Sequence, residues 1–458
     1  MFKTGIVSSD EARHRNVREA EVISINAQAY TKINRAHARD NYFLRNLQMN
    51  PEINTPLTPN ELDEINEFWQ PYSFAYKNNP EVQRVFSRIS GRFDPSYIGF
   101  GLWISDYFNR VKVPLFTKKQ NLTKMKLGHI LDDKILCGWF FCNTKQPKTF
   151  LYSAWGAFLD ENRCKISKNQ AIQIAYSTAK KSPDGIIVKE SIGDSGNAIV
   201  FIEPSMTKGE ITEIINRDGN FVYQEVIKCH PSFTPYSPSV AGGANTLKIA
   251  TMVYKDKLHW IGSALRMRVD SKVDNFGQGG LGVSVSEDGK LDEFAVDIKG
   301  NRQYSAPNGL RFHEHKLHNY ENAHRMVLEM HKMVPFRKYV GWDLTINELG
   351  EPVFIEANTA LTTELFQSLG IHPFLNRKFA KEIYDECLVT CFYYDKANFD
   401  WNYREFASHI SLAKYCGIDE IVDVPEYIDG KKVRFLYANA LSEVHLNKTR
   451  IPKSIKIM

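Results

Sequence analysis

The sequence predicts an α+β fold that begins with a helical region. An alternating stretch over residues 339–359 reads as two antiparallel strands joined by a turn at residues 347–351. Two β-branched runs, at residues 186–188 and 198–202, flank a glycine-containing loop and predict a second strand pair. Residues 1–115 instead carry helix-start signals. Hairpins combined with helices are typical of the α+β class.

Two helix starts are predicted within the N-terminal region, residues 1–115. Ser9 is suited to cap a helix that continues through residues 22–25. Thr58 precedes Pro59, and proline is common at the first position of a helix, so a second helix is expected there. The region lacks catalytic spacing, which leaves two interpretations open: a helical cap on the rest of the chain, or a domain that binds an acceptor.

Length, charge and cysteine content restrict the class of protein. A chain of 458 residues has room for two or three domains, and a net charge of +5 suggests an anionic ligand but is too small to indicate nucleic-acid binding. Seven cysteines without a CxxC pair fit reduced thiols, so a cytoplasmic location is expected. No run of about 18 apolar residues occurs, so no membrane span is predicted.

Two lysines are candidates for binding an anionic ligand. Asp132 is a plausible N-cap that places Lys134 in the first turn of a helix, where a cation opposes the helix dipole unless it serves another purpose. Lys189 ends a strand and precedes a loop containing Ser191, Gly193, Ser195 and Gly196, and such a loop can surround phosphate oxygens with N–H groups. A solvated surface lysine and an ordinary glycine hairpin are the alternatives.

Further polar residues end or lie on strands that follow this loop. The buried-type strand beginning at Phe221 ends in Gln224 and Glu225, and free backbone groups at such an exit can pair with the edge of an adenine ring. Lys248 and Arg266 lie on two later strands. The planar fork of Arg266 suits a developing phosphate charge, and a surface salt bridge is the alternative.

The hairpin at residues 339–359 carries the candidate metal ligands. A turn centred between Leu349 and Gly350 would set Asp343 opposite Glu356, with Asn358 on the same side of the sheet. The same register would pair Trp342 with Ala357, Leu344 with Ile355, and Ile346 with Val353 on the apolar side. Opposed carboxylates need a cation, a shared proton or water, and two carboxylates with an amide oxygen suit Mg²⁺. A solvent-facing hairpin is the alternative.

Taken in order, these motifs resemble the ATP-grasp superfamily. The segments Val273-Asp-Asn-Phe-Gly-Gln-Gly-Gly280 and Gly341-Trp-Asp-Leu-Thr-Ile346 are most similar to its sugar-transfer-associated branch, which occurs in polysaccharide biosynthesis settings. The resemblance covers roughly residues 120–390. It departs at Lys248, where the family pattern leads us to expect arginine, and in the 190–196 loop, which has fewer glycines than in many relatives.

The resemblance implies an ATP-grasp fold, in which two α+β subdomains clamp ATP, with ATP and Mg²⁺ as cofactors. The implied units are a helical region 1–115, a subdomain 116–220 with the nucleotide lysines and phosphate loop, a subdomain 221–390 with the hinge and magnesium site, and an extension 391–458. The implied residues are nucleotide-binding Lys134, Lys189, Ser191, Gly193, Ser195, Gly196, Glu225, Val226 and Ile227, metal-binding Asp343, Glu356 and Asn358, and catalytic Arg266 and Lys248.

The implied activity is that of an ATP-dependent carboxylate–amine ligase with an acylphosphate intermediate. Its partners would be a small-molecule carboxylate and an amine, with a sugar or glycan acceptor as one option. Phosphoryl transfer depends mainly on positioning and charge neutralisation, which these residue types supply. A kinase that phosphorylates a hydroxyl and a non-catalytic nucleotide-binding protein are the alternatives.

Overall fold

In the computed structural model of the chain, the helices and strands form an α+β architecture, as the sequence predicts. The residues that it describes are 22–25, 51–72, 79–98, 130–193, 199–234, 243–269, 274, 276–307, 309–359, 361, 363–371, 377–398, 400–406, 408–417, 421–437, 440–441 and 449–457. The expected helix start at Ser9 and the loop residues Ser195 and Gly196 lie outside this part of the chain.

Eight α-helices occur in the described residues. In chain order they are α1 (Pro59–Trp69), α2 (Pro80–Ser90), α3 (Lys134–Phe140), α4 (Lys168–Lys181), α5 (Lys208–Ile215), α6 (Tyr320–Met333), α7 (Glu364–Ser368) and α8 (Arg377–Cys391). The expected start at Thr58 is confirmed, since Thr58 and Glu61 form a reciprocal capping box with Pro59 in the first turn of α1.

The expectation of a helix through residues 22–25 is wrong. These residues form strand β1 (Val22–Ile25), which pairs antiparallel with β15 (Phe392–Ala397). β-Branched side chains favour extended backbone when a partner strand is available. The two strands belong to a sheet that contains most of the C-terminal strands, namely β16 (Trp401–Phe406), β17 (Ile410–Tyr415), β19 (Tyr427–Ile428), β20 (Lys431–Leu436) and β22 (Lys456–Ile457). The other two, β18 (Val422–Asp423) and β21 (Thr449–Arg450), pair with each other in parallel.

A six-stranded sheet lies between residues 149 and 225 and is covered on one face by α4 and α5. Its order is β4 (Lys165–Ile166), β3 (Ala157–Asp160), β2 (Thr149–Ala154), β7 (Phe221–Glu225), β5 (Ile186–Glu190) and β6 (Val200–Ile202). The expected boundary at residue 220 separates β7 from this sheet, but β7 pairs with both β2 and β5 at its centre. The strand therefore belongs with the first α+β unit.

A seven-stranded sheet follows and carries the acidic hairpin at one edge. Its order is β12 (Arg302–Gln303), β11 (Leu291–Val296), β10 (Leu281–Val285), β9 (Lys257–Met267), β8 (Thr246–Tyr254), β13 (Tyr339–Ile346) and β14 (Pro352–Asn358). Helix α6 packs against β13 and β14. None of the described helices is long and apolar enough to cross a membrane.

The register of the β13–β14 hairpin agrees with the prediction at one end only. Asp343 faces Glu356 and Trp342 faces Ala357, as expected. The expected Leu344–Ile355 and Ile346–Val353 pairs are wrong, because a β-bulge next to Asp343 shifts the register, so that Leu344 faces Phe354 and Ile346 faces Pro352. A bulge adds a residue to one strand, and the alternation of apolar and polar residues in this sequence does not indicate where it occurs.

Candidate functional site

The site is built around two opposed carboxylates. Asp343 is 1% exposed, whereas the side chain of Glu356 is 29% exposed and reaches the cleft. Asn358 lies on the same strand as Glu356, and its Nδ2 atom is 3.4 Å from Asp343 Oδ2. Directly opposed acidic residues repel each other unless other charges compensate them.

Two cations from neighbouring strands compensate Asp343. Lys248 lies directly across from Asp343 on β8, with its Nζ atom 2.8 Å from Oδ1, and Arg266 on β9 places Nη2 3.0 Å from Oδ2. Burial opposes ionisation of Asp343, but Arg266 and Lys248 outweigh it and hold the pKa of this carboxyl below its usual value. Arg266 and Lys248 therefore form an interior ion-pair network, which excludes the surface salt bridge considered for Arg266.

Lys134 reaches Glu356 from the first turn of α3. Its Nζ atom is 3.2 Å from Glu356 Oε2 and donates a hydrogen bond of 3.1 Å to the carbonyl of Gly193. The N-cap of α3 is Asp133, not Asp132 as expected: Asp133 Oδ1 accepts from the Ile135 and Leu136 amides, at 2.8 and 3.1 Å. The carboxylate of Asp132 instead accepts a hydrogen bond from Thr359, so it is not free to cap the helix.

Lys189 faces the same cleft from the opposite sheet. It lies directly across from Val222 in the β5–β7 pair. Burial lowers the pKa of Lys189, Glu356 opposes this shift, and Lys134 adds to it. Burial and the nearby Lys134 both disfavour the charged form of Lys189. A bound anion would favour the charged form and would hydrogen-bond to it.

Ser191, expected in the phosphate loop, is fully buried and anchors that loop. Its hydroxyl donates to Asp133, and its carbonyl accepts from the Lys134 amide at 2.8 Å. The Ser191 amide donates to the Asn220 carbonyl at 2.7 Å. These bonds use both the side chain and the backbone of Ser191 and fasten the loop to α3 and to the residue before β7. The expected contact of Ser191 with a phosphate stays a prediction.

The hinge expected at residues 225–227 begins at the last residue of β7 and continues beyond the strand. The exposed Glu225 side chain accepts a hydrogen bond of 2.9 Å from the Lys148 amide, and the Glu225 amide donates to the Lys148 carbonyl at 2.9 Å. Val226 and Ile227 are half-buried and lie outside any strand. Glu225 therefore ties the start of the hinge to the residue before β2.

A cavity of about 380 Å³ lies between α3, the six-stranded sheet and β14. Lys134 and Glu356 line one part of it, and Val222, Gln224 and Ile355 line another. Sequence reasoning missed Ile355 as a cleft residue because the bulge, which is not visible in the alternation, turns it away from the apolar side. The alternation in β7 places Gln224 on the same face as Val222, so the sequence does predict that these two residues lie on one side of the sheet.

The charged groups that surround Asp343 and Glu356 include more cations than anions. Four cationic and three anionic side chains interact here, namely Lys134, Lys189, Lys248 and Arg266 with Asp274, Asp343 and Glu356. No group of three or more His, Cys, Asp or Glu suited to a metal occurs in the described residues. Two carboxylates and an amide at one sheet edge are nonetheless an oxygen donor set that fits Mg²⁺.

Comparisons with known proteins match this arrangement to a family. The sugar-transfer associated ATP-grasp family profile matches residues 116–378, which is more than half of the chain. No curated protein matches the chain in sequence. Among solved structures, D-alanyl-alanine synthetase A from Vibrio cholerae is 12% identical with a TM-score of 0.35, over 57% of this chain and 66% of that one.

Two other solved structures are similarly distant. The biotin carboxylase domain of Hydrogenobacter thermophilus 2-oxoglutarate carboxylase is 14% identical with a TM-score of 0.35, over 62% of this chain and 52% of that one. N5-carboxyaminoimidazole ribonucleotide synthetase from Thermotoga maritima is 8% identical with a TM-score of 0.28, over 51% of this chain and 43% of that one.

The chain thus covers less than two thirds of each of these three structures, and the identities and TM-scores are too low to transfer an activity. The family match does not depend on these structures. It spans the strand-end lysine, the hinge and the acidic hairpin, and it confirms the resemblance seen in the sequence motifs. The chain belongs to the sugar-transfer associated ATP-grasp family.

Proposed function

We propose that this protein is an ATP-dependent ligase that joins a carboxylate to an amine, with a sugar-linked carboxylate as its acceptor. The observation that carries the proposal is the opposition of Asp343 and Glu356 in a cleft that also contains Lys134 and Lys189. Family membership supports nucleotide chemistry, and the family's description supports the sugar.

In this proposal Asp343, Glu356 and Asn358 would hold Mg²⁺, which when bound neutralises charge on phosphate oxygens. Lys134 and Lys189 contribute positive charge from opposite sides of the cleft. The buried pairs of Lys248 and Arg266 with Asp343 favour positioning roles for these two residues rather than contact with substrate. They keep Asp343 ionised and aimed along the sheet edge.

The reaction would proceed in two steps. An oxygen of the substrate carboxylate attacks the γ-phosphorus of ATP, the bond to the β–γ bridging oxygen breaks, and an acylphosphate and ADP result. The amine nitrogen then attacks the acyl carbon, phosphate leaves, and the nitrogen loses a proton. The segment at residues 190–193, fastened through Ser191, is the element that would help to exclude water from the acylphosphate.

The test is ADP release measured with combinations of uronic acids and amines. We expect release that needs both substrates, and Glu356→Gln should reduce it at least about a hundredfold, as expected for loss of a charged group that acts on the transition state. Glu351→Gln is the matched control, since Glu351 lies on the same hairpin in an exposed pair with Lys145. A phosphorylated product formed without amine would select a kinase, and unchanged activity of Glu356→Gln would refute the metal assignment.

A further inference from the structure

An aromatic and cationic surface lies beside the cleft, at the far end of α3. We define the aromatic shelf as Trp139, Trp155, Tyr152 and Arg163. The ring of Trp139 is 5.7 Å from those of Trp155 and Tyr152, with interplanar angles of 72° and 74°. The guanidinium carbon of Arg163 lies 5.2 Å from the Trp139 ring centroid. Tyr152 and Arg163 also line the cleft cavity, so the shelf is continuous with it.

The backbone holds two shelf residues in unusual conformations. Trp155 has φ 50° in the two-residue turn between β2 and β3, and Arg163 has φ 65° in the turn that follows β3. Residues with bulky side chains rarely adopt positive φ, and a two-residue hairpin turn such as the one at Trp155 favours asparagine followed by glycine. Such outliers tend to mark functional positions. Here both outliers direct their side chains toward Trp139.

Part of the shelf is exposed, and two of its polar groups have no hydrogen-bond or ion-pair partner among the described residues. Trp155 is 56% exposed, and the buried Nε1 atom of Trp139 donates no hydrogen bond within the described part of the chain. Arg163 pairs with no carboxylate among the described residues, whereas its neighbour Glu161 pairs with Lys148 at 3.1 Å. An exposed indole and a guanidinium without a carboxylate partner, both in contact with the Trp139 ring, suit a ligand with an apolar ring face and an anionic substituent.

The shelf is also coupled to the phosphate loop. Asn220 accepts a hydrogen bond from the Trp155 amide through its side chain, and one from the Ser191 amide through its carbonyl, both at 2.7 Å. The turn that presents Trp155 and the loop that follows Lys189 are therefore fixed to the same residue. A ligand seated on Trp155 would lie at the end of the sheet from which that loop emerges.

We infer that the aromatic shelf binds a pyranose unit of an acidic saccharide, with the C–H face of the ring on Trp155 and the carboxylate toward Arg163. Charge complementarity with Arg163 selects an acidic over a neutral sugar. Binding to the shelf is independent of any reaction. Its role as the acceptor subsite rests on the function proposed above.

The test is calorimetric titration of the full chain with a tetrasaccharide of alternating glucuronic acid and N-acetylglucosamine, and with chitotetraose as the neutral probe. We expect tighter binding of the acidic probe, and Trp155→Ala should weaken it about tenfold, or ~1.4 kcal/mol. Arg163→Gln should remove the preference for the acidic probe. Tyr427→Ala, which alters an equally exposed aromatic residue on β19, is the matched control and should change nothing.

Several outcomes would overturn the inference. They are no saturable binding of either probe, equal binding by wild type and Trp155→Ala, or a change in oligomeric mass as the sole effect of Trp155→Ala, which would make the shelf a protein contact. Mg·ATP binding, measured separately, should be unchanged in Trp155→Ala. If the wild type binds the saccharide and Trp155→Ala loses this binding, but the wild type has no ligase activity, the shelf is supported and the proposed function is refuted. Ligase activity without saccharide binding at the shelf would support the proposed function and refute the shelf.

Discussion

Asp343 and Glu356 face each other on adjacent antiparallel strands, yet each carboxylate has its own cations. Lys248 and Arg266 approach Asp343 from the interior of the sheet, and Lys134 approaches Glu356 from the cleft. The pair is therefore stabilised by fixed charges on three other elements. The two acids also differ in burial. Asp343 is buried and is needed to pair with the interior cations, whereas Glu356 is accessible from the cleft.

The first prediction concerns stability. Asp343→Asn should lower the free energy of unfolding by about 3–5 kcal/mol, because it leaves the buried Lys248 without a carboxylate and the half-buried Arg266 with Asp274 alone, at 3.6 Å. Glu351→Gln, which removes an exposed pair on the same hairpin, should cost less than about 1 kcal/mol. Urea unfolding of the three proteins checks this, and equal stability of both variants would show that the buried network contributes nothing.

The contribution of Asp343 should also depend on pH. Because its pKa is lower in the folded chain than the ordinary value of 3.8, the stabilisation is present above that value and is lost as the pH falls through the folded-state pKa. The stability difference between wild type and Asp343→Asn should therefore stay constant near neutral pH and shrink only below the ordinary value. Urea unfolding at several acidic pH values measures it, and a difference that shrinks near neutrality would contradict the assignment.

A second prediction concerns Lys189 and protons. Burial lowers the pKa of Lys189, so the ammonium is lost as the pH rises through that lowered value, and affinity for ATP should fall over the same range. Binding of the triphosphate should restore the proton, which calorimetry in buffers of different ionisation enthalpy detects as proton uptake. Lys189→Met should abolish the uptake, and Lys145→Met, at an exposed lysine, should preserve it.

A third prediction concerns the cavity wall formed by the bulge. If Ile355 contacts the nucleotide base, Ile355→Ala should weaken ATP binding about five- to thirtyfold, from the loss of apolar contact area. Leu349→Ala is the control, because Leu349 is 77% exposed at the turn of the same hairpin. Calorimetric titration with ATP and Mg²⁺ gives both values, and unchanged affinity of Ile355→Ala would exclude this part of the cavity as the base site.

The fourth prediction is energetic coupling between Asp133 and Ser191. Asp133 caps α3 and accepts from the buried Ser191 hydroxyl, so the two single alanine variants should share part of their cost. A double-mutant cycle in urea should give a coupling of about 1 kcal/mol. Ser153→Ala, whose hydroxyl bonds to the Gly219 carbonyl, should be additive with Asp133→Ala. A coupling near zero would mean that the loop is not fastened through this pair.

Local pattern was sufficient for several elements of the fold. The helix start at Thr58 and the opposition of Asp343 to Glu356 depend on neighbours in sequence or on one short turn. The pattern failed where a distant strand decided the outcome. Residues 22–25 pair with β15. Asp132 accepts a hydrogen bond from the distant Thr359, and Asp133 caps the helix instead.

What the sequence by itself determined is the order of charged residues, the hairpin that opposes two acids, and the resemblance to a nucleotide-binding family. Only the tertiary structure decided which cation serves which acid, that Ser191 anchors the loop, and that a bulge brings Ile355 into the cavity. It also brought Trp155 and Arg163 together over Trp139. The reason is physical: periodicity determines the side of a strand or helix on which a side chain lies, whereas ion pairs and cavities depend on which elements pack against each other.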